Sequence, residues 1–344
     1  MTRIVIVGAG AIGGYFGGRM HAAGRDVTLV DAWPEHVEHV RRHGMLIELM
    51  SSGARETVAC DIRHVNDVQG LVREAPVDIA MIAVKSYDTL WATRLILPYL
   101  ADDAAVVSLQ NAINEPAIAS VAGAERTYGC AIAALACDLV APGHVKRMSA
   151  NGQVSVGAMQ GAAPARCAAI AEALSPAEAS SPTDDLLGVK WSKLVINAMR
   201  NGLSAMTGMT GLERDSDPVT IALGIRLGAQ TVRVGRALGH RLVDTGFSFD
   251  TLLAADEGDE AAISAIRQRM AEIAGSRASE QRPSMAQDIR KGRRTETDAI
   301  NGYVARLGRE LGIETGAHQK VHELLLRIER GELQPAPALA EGTA

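Results

Sequence analysis

Apolar and polar positions in the first half of the chain alternate between two patterns. Short, largely apolar runs occur at Ile4–Val7, Asp26–Val30, "VDIAMIAV" (77–84) and "AAVVSL" (104–109). Such runs suit strands covered on both faces. Between them, apolar residues recur at three- and four-residue spacing. This spacing predicts a helix over Ala11–Ala23, ending near Gly24. It predicts a second from Pro34 to about His43, with proline in the first turn where its missing N–H is harmless. Strand, helix, strand, helix in this order predicts a parallel, doubly wound sheet. Residues 127–156 read differently. The patches "GHV" (143–145) and "QVSVG" (153–157) suggest an antiparallel extension at the sheet edge. From Asp184 onward the period is helical throughout, as in "LLGVKWSKLVINAMRNGLSAM" and "INGYVARLGRELG".

These patterns divide the chain into an α/β domain over 1–183 and an all-α domain over 184–330. The Pro/Ala-rich tail, 331–344, is expected to be disordered. A chain of 344 residues has room for two such domains. Hydrophobic residues make up 47% but aromatics only 3%, so the core must be aliphatic. The net charge of -5 gives no basic footprint for nucleic acid. Arg290, Lys291, Arg293 and Arg294 form a short basic cluster that reads as a solvated helix end. Cys60, Cys130, Cys137 and Cys167 lack CxxC spacing and read as free thiols. No Cys/His set has metal-ligand spacing, no run is long enough to span a membrane, and no signal peptide is visible. A soluble, cytoplasmic protein without metal, membrane or nucleic-acid partners is the expectation. The helical half is compatible with a homodimer, although no heptad pattern demands one.

Six glycines crowd the stretch after the first apolar run. Gly8, Gly10 and Gly13 form GxGxxG between a strand and a helix, the context that turns this weak motif into a dinucleotide-binding signal. Gly8 permits the tight turn, Gly10 lets a pyrophosphate approach the backbone, and Gly13 lets the helix sit close on the sheet. Ala9, Ala11 and Ile12 complete the same cofactor-binding turn, whose N–H groups lie at the positive helix end. The alternative is a glycine-rich helix–sheet contact without a ligand. Gly14, Gly17 and Gly18 are extra, and would let another backbone or the cofactor lie against the helix. Strand two ends in Asp31, 18 residues past Gly13. An acid there accepts bonds from ribose hydroxyls and repels a 2′-phosphate, which favours NADH; the alternative is a loop carboxylate facing water.

A second polar feature lies far downstream. Lys193, Asn197 and Asn201 fall at i, i+4 and i+8 and share one helical face, beside Leu194, Val195, Ile196 and Met199. They form either the polar wall of a cleft or a solvent-exposed stripe.

Five segments resemble the ketopantoate reductase (2-dehydropantoate 2-reductase) family over about residues 1–330. They are "GAGAIGG", "AVKSYDT" (83–89), "SLQNAINE" (108–115), "KWSKLVINAMRNGLSA" (190–205) and "SMAQDIRKGRRTETDAINGYV" (284–304). The resemblance implies a Rossmann domain plus a helical domain, and reduction of a 2-keto acid by a nicotinamide hydride, NADPH being the family default. Ketopantoate would yield pantoate, on the route to pantothenate. It implies that Lys193 is the general acid. Asn197 and Asn201 would bind substrate, Ser284 would hold the substrate carboxylate, and Glu296 would contact substrate or orient neighbours. Asn111 would lie near nicotinamide and substrate. Lys85 follows a buried strand at its carboxyl end and reads as a cofactor-side lysine or a surface residue. Ser284 and Glu296 would lie about 120° apart on one straight helix. Gly292, with a capping box of Thr295 and Asp298, would break that helix and let them converge.

Three departures bear on the substrate. Ala112 stands where the family has glycine and would be strained if that site needs positive φ. Gly202 replaces a proline. Arg200 replaces an apolar residue, and reads equally as a partner for a second substrate carboxylate or as a salt bridge to a neighbouring helix. The acid-bearing segment 243–262 is divergent and is expected to shape the pocket mouth. The alternatives to ketopantoate are therefore another 2-keto acid, including a dicarboxylic one held by Arg200, or a dinucleotide sensor without catalysis.

Overall fold

The computed structural model describes residues 2–275 and 282–343. It resolves into two compact units, Met1–Leu187 and Gly188–Ala344.

The first unit runs β1 (Ile4–Val7), α1 (Ala11–Ala22), β2 (Val27–Asp31), α2 (Pro34–His43), β3 (Met45–Leu49), β4 (Ala54–Val58) and β5 (Asp61–His64). It continues through β6 (Val77–Ile82), α3 (Thr89–Ile96), β7 (Leu100–Ser108), α4 (Glu115–Ala122) and β8 (Thr127–Ala133). It closes with β9 (Cys137–Ala141), β10 (His144–Arg147), β11 (Gln153–Ala158), α5 (Pro164–Leu174) and β12 (Ala179–Pro182). Eight strands form one sheet in the order β12-β11-β8-β7-β6-β1-β2-β5. From β5 to β8 every pairing is parallel, whereas β11 is antiparallel to β8. Alternation along β1 shows why its run is wholly apolar. Ile4 and Ile6 face one core cluster and Val5 and Val7 the other, all at 1% exposure or less. The direction of winding reverses between β1 and β6, which places the ligand crevice of such a sheet at their carboxyl ends.

The edge extension expected from residues 127–156 is correct for β8 and β11 but not for "GHV". That segment is β10, which joins β9, β3 and β4 in a separate four-stranded sheet of order β4-β3-β10-β9. This second sheet explains the extra glycines of α1. A Cβ on Gly17 would lie 2.4 Å from Leu29 of the large sheet, and one on Gly18 would lie 2.7 Å from Ile47 of the small one. A Cβ on Gly14 would press on Met45 and Val145 of the small sheet. Gly17 and Gly18 admit side chains from the two sheets on either side of α1, rather than the backbone or cofactor expected, while at Gly14 the backbone carbonyl of Ala9 comes closest, at 2.8 Å.

The second unit is helical: α6 (Leu186–Thr207), α7 (Gly211–Ser216), α8 (Pro218–Ala237), α9 (Phe249–Asp256), α10 (Glu260–Gly275), α11 (Ser284–Arg290), α12 (Asn301–Leu311), α13 (Gly316–Glu329) and α14 (Ala338–Glu341). Helix α6 is fixed against α8. Trp191, fully buried, donates its indole N–H to the Thr231 carbonyl at 2.9 Å, and Gly235 leaves room for the ring. The tail expected to be disordered is ordered over its described residues. The Ala336 N–H donates to the Met206 carbonyl at 3.1 Å, and Ala340 is buried in the turn of helix that packs on α8. Backbone bonding to the end of α6 overrides what Pro/Ala composition suggests.

Candidate active site

In the first unit, the glycine loop lies at the switch point. Gly8 adopts φ +101°, and a Cβ there would come within 2.7 Å of the Val84 nitrogen. A Cβ on Gly13 would lie 1.8 Å from the Gly8 carbonyl oxygen, so the first turn of α1 is pressed onto the loop itself. Gly10 is the contrast: nothing lies within 4 Å of the position its Cβ would take. An open flank beside first-turn N–H groups, which have no acceptor within their own helix, fits a dinucleotide pyrophosphate. Ala9, Ala11 and Ile12 fill the rest of the turn.

Asp31, at the carboxyl end of β2, accepts the Ala9 N–H at 2.7 Å through Oδ2 and the Trp33 N–H at 2.9 Å through Oδ1. It is therefore not a carboxylate that merely faces water. It ties the glycine loop to the loop after β2, and each oxygen keeps a further lone pair for a ribose hydroxyl. The β6 and β7 ends are tied together too. Gln110 donates to the Val84 carbonyl at 2.8 Å, and Asn114 donates to the Asn111 carbonyl at 2.7 Å and to Ser86 Oγ at 3.2 Å. Lys85 and Asn111, both half-buried, thus stand on loops at the carboxyl ends of adjacent strands. Ala112 does adopt positive φ, +59°, while 5% exposed. The strain anticipated for an alanine at this site is present, at about 1–2 kcal/mol.

In the second unit, α6 carries the polar face. Leu194, Val195, Ala198 and Met199 are at 1% exposure or less, Lys193 and Asn197 are half-buried, and Asn201 is buried. The face is not a solvated stripe. Desolvation pushes the Lys193 ammonium down to about 7; Lys190 on the same helix adds to that fall, and Glu296 opposes it. A lysine near neutrality is suited to giving a proton to a developing alkoxide.

Glu296 reaches this region because the helix breaks. Helix α11 ends at Arg290, Gly292 adopts φ +62°, and a 3-10 turn over Thr297–Ala299 precedes α12. The break occurs as expected, but the capping box does not form. The Thr295 hydroxyl is bonded to Glu329, and Asp298 pairs with Arg294 at 2.8 Å and His322 at 3.4 Å. Glu296, 5% exposed, caps the 3-10 turn with its backbone carbonyl instead. Ser284, half-buried, is the first residue of α11.

Arg200 has a partner of the kind its second reading anticipates. Its guanidinium lies 3.5 Å from Asp215 on α7 and stacks 5.3 Å from the Phe247 ring. Asp215 also receives Arg214 at 2.7 Å. At 8% exposure, Arg200 makes the ion pair to a neighbouring helix that the second reading anticipates.

Ser192, Lys190 and Asn301 matter here without having been singled out. Segment 243–262 is a loop followed by α9 and the start of α10, and the loop is fastened to α6 beside Lys193. The Val243 N–H donates to Ser192 Oγ at 2.8 Å and the Thr245 hydroxyl to the Ser192 carbonyl at 3.3 Å. Lys190 is 3% exposed. The signal for it was present: a second lysine one turn before the first, in a largely apolar window. Asn301 packs its amide oxygen 2.6 Å from where a Gly202 Cβ would stand, so a glycine replaces the family's proline for a steric reason. Among the described residues no cluster of His, Cys, Asp and Glu could hold a metal ion, and no helix is long and apolar enough to cross a membrane.

The family model for ketopantoate reductase PanE/ApbA matches residues 4–161, and that for its C-terminal part matches residues 185–329. A 2-dehydropantoate 2-reductase from Archaeoglobus fulgidus is 28% identical over 337 residues, covering 96% of this chain and 99% of that protein. The crystal structure of a PanE/ApbA family ketopantoate reductase from Ralstonia eutropha JMP134 superposes with a TM-score of 0.79 at 27% identity, over 96% of this chain and 99% of that one. A D-mandelate dehydrogenase solved with NADH and anilino(oxo)acetate gives a TM-score of 0.81 at 23% identity, with the same coverage. At that identity the fold is what the two share.

Proposed function

As the chain belongs to the ketopantoate reductase family, whose members are NAD(P)H-dependent oxidoreductases acting on 2-keto acids, we propose that it reduces 2-dehydropantoate to pantoate with Lys193 as the proton donor. The observation that carries this reading is the face of α6: Lys193 with a pKa near 7 beside the buried Glu296, and Asn197 and Asn201 on the two following turns. The glycine loop and Asp31 would hold the dinucleotide, with Lys85 and Asn111 on its nicotinamide side. When bound, the reduced nicotinamide supplies a hydride to the keto carbon.

The chain's own residues do the rest. The Lys193 ammonium stabilises the charge that builds on the carbonyl oxygen and then gives that oxygen its proton, completing the 2-hydroxy acid. Glu296 keeps Lys193 cationic until then. The amides of Asn197 and Asn201 orient the substrate, and Ser284 holds its carboxylate. Asp31 offers acceptors to ribose hydroxyls and repels a 2′-phosphate, which favours NADH over NADPH.

Ala112, whose methyl sits in a strained loop beside Asn111, favours a second reading: the same reduction of a different 2-keto acid. Initial rates on a panel of 2-keto acids, with both cofactors, decide between them. The proposal predicts the highest kcat/KM for 2-dehydropantoate with NADH. A better substrate elsewhere in the panel favours the second reading, and no turnover on any member leaves a dinucleotide sensor.

A further inference from the structure

Lys190 has no task in the function proposed above, yet it is 3% exposed on the same helix as Lys193 and one turn before it. Residues at i and i+3 are neighbours on a helix surface. Burying an ammonium is costly, and placing two of them one turn apart adds mutual repulsion. Leu194, one turn on from Lys190, is an apolar side chain at 1% exposure.

We propose that Lys190 is a positioning residue for the proton donor: its charge, fixed one turn from Lys193, sets the pH range over which Lys193 gives up its proton. This rests on the reading of Lys193 as the general acid.

Two charges that act on Lys193 stand on different elements. On α6, Lys190 disfavours a second cation, and from the stretch between α11 and α12 the buried Glu296 favours it. Arg200, two turns further along α6, is tied to Asp215. Burial is the largest influence on Lys193 and Lys190 the next, and together they bring it down to about 7. The sign follows directly. A general acid must be protonated, so reduction is fast below that pKa and falls as pH rises through it. Removing Lys190 takes away a repulsion, lets Lys193 stay protonated to higher pH, and moves the falling limb in the alkaline direction.

The test is the pH profile of kcat for 2-keto-acid reduction by the full chain, from mildly acid to alkaline. In Lys190→Met the falling limb is expected to move up by about one pH unit, the size of one like-charge neighbour at a partly shielded distance. In Lys190→Arg, which keeps the charge, it stays in place. Should Lys190→Met fail to fold, Lys190→Gln provides a neutral but polar replacement, with circular dichroism reporting the fold. A limb that stays fixed in the neutral variant overturns the role of Lys190, because a purely structural lysine alters rate or stability without moving the profile. A wild-type profile with no falling limb near neutrality counts against Lys193 itself, and so against the reading on which this inference rests.

Discussion

The glycine loop of the first unit and the polar face of α6 in the second are built in opposite ways. The loop works through its backbone: Gly8 is left-handed, Gly13 touches the loop's own carbonyl, and Gly10 borders open space. The α6 face works through side chains whose properties come from their surroundings. Lys193 is an ordinary lysine until burial and Lys190, acting against Glu296, bring it near neutrality. A backbone site constrains which residue can stand at each position, so it leaves a signature in the sequence. A side-chain site leaves only a spacing, because the residues that tune it arrive from elsewhere in the chain.

The strongest way to break this contrast is to remove the chemistry from one side alone. Lys193→Ala is expected to lower kcat for 2-keto-acid reduction by about 100- to 1,000-fold, the scale for losing a group that stabilises charge in the transition state. Dinucleotide affinity, measured by fluorescence titration, should stay within about twofold. Near-normal turnover would show that another group supplies the proton.

The mirror experiment acts on the backbone and separates two glycines that look equivalent in the motif. Gly13→Ala puts a methyl 1.8 Å from the Gly8 carbonyl oxygen. It should destabilise the first unit by about 1–3 kcal/mol, with a lower melting temperature and weak dinucleotide binding. Gly10→Ala meets no protein atom within 4 Å. It should melt like wild type and still bind the dinucleotide poorly, because the methyl occupies the side from which phosphate approaches. Equal losses of stability in both would contradict the assignment of Gly10 to the ligand.

How much was legible follows the same division. The strands that wind around the switch point were readable, because burial on both faces requires continuous apolar runs such as 77–84. The small sheet was not. Four of the five residues of β4 are exposed, and β3 pairs in parallel with β10, a strand far away in the chain that no local pattern names. In the site, the shared face of Lys193, Asn197 and Asn201 was readable as spacing, but their roles came from resemblance to a family. Arg200 was ambiguous because its partner Asp215 lies on another helix, and Thr295 was misread because Glu329 takes its hydroxyl.

Gly202 sharpens the comparison within α6. Alanine usually improves a helix interior by about 1 kcal/mol over glycine. Here its Cβ would stand 2.6 Å from Asn301 Oδ1 and 2.9 Å from Val321. Gly202→Ala is therefore expected to lower stability by about 1–3 kcal/mol in a denaturant melt, against the helix-propensity rule. Stabilisation would show that α12 can withdraw.

A smaller effect is expected at Asp31. Asp31→Ser removes the charge that repels a 2′-phosphate while leaving an acceptor for the Ala9 N–H. The ratio of kcat/KM for NADH over NADPH should fall by about tenfold, roughly one modest electrostatic interaction. An unchanged ratio would mean that the carboxylate serves only to brace the loop.

The smallest effect is expected at Ala112, where two terms nearly cancel. Its φ of +59° is strained by about 1–2 kcal/mol for any residue with a Cβ, and glycine relieves that strain. Glycine also adds freedom to the unfolded chain, which costs about 0.4–1 kcal/mol. Ala112→Gly should thus raise stability by about 0 to 1.6 kcal/mol. Its informative readout is kinetic. If the methyl only occupies a strained turn, KM for each 2-keto acid stays the same while the protein becomes slightly more stable. If the methyl is a wall of the substrate site, KM changes unequally across the panel, bulky side chains gaining most, and the strain is then the condition for holding that wall beside Asn111.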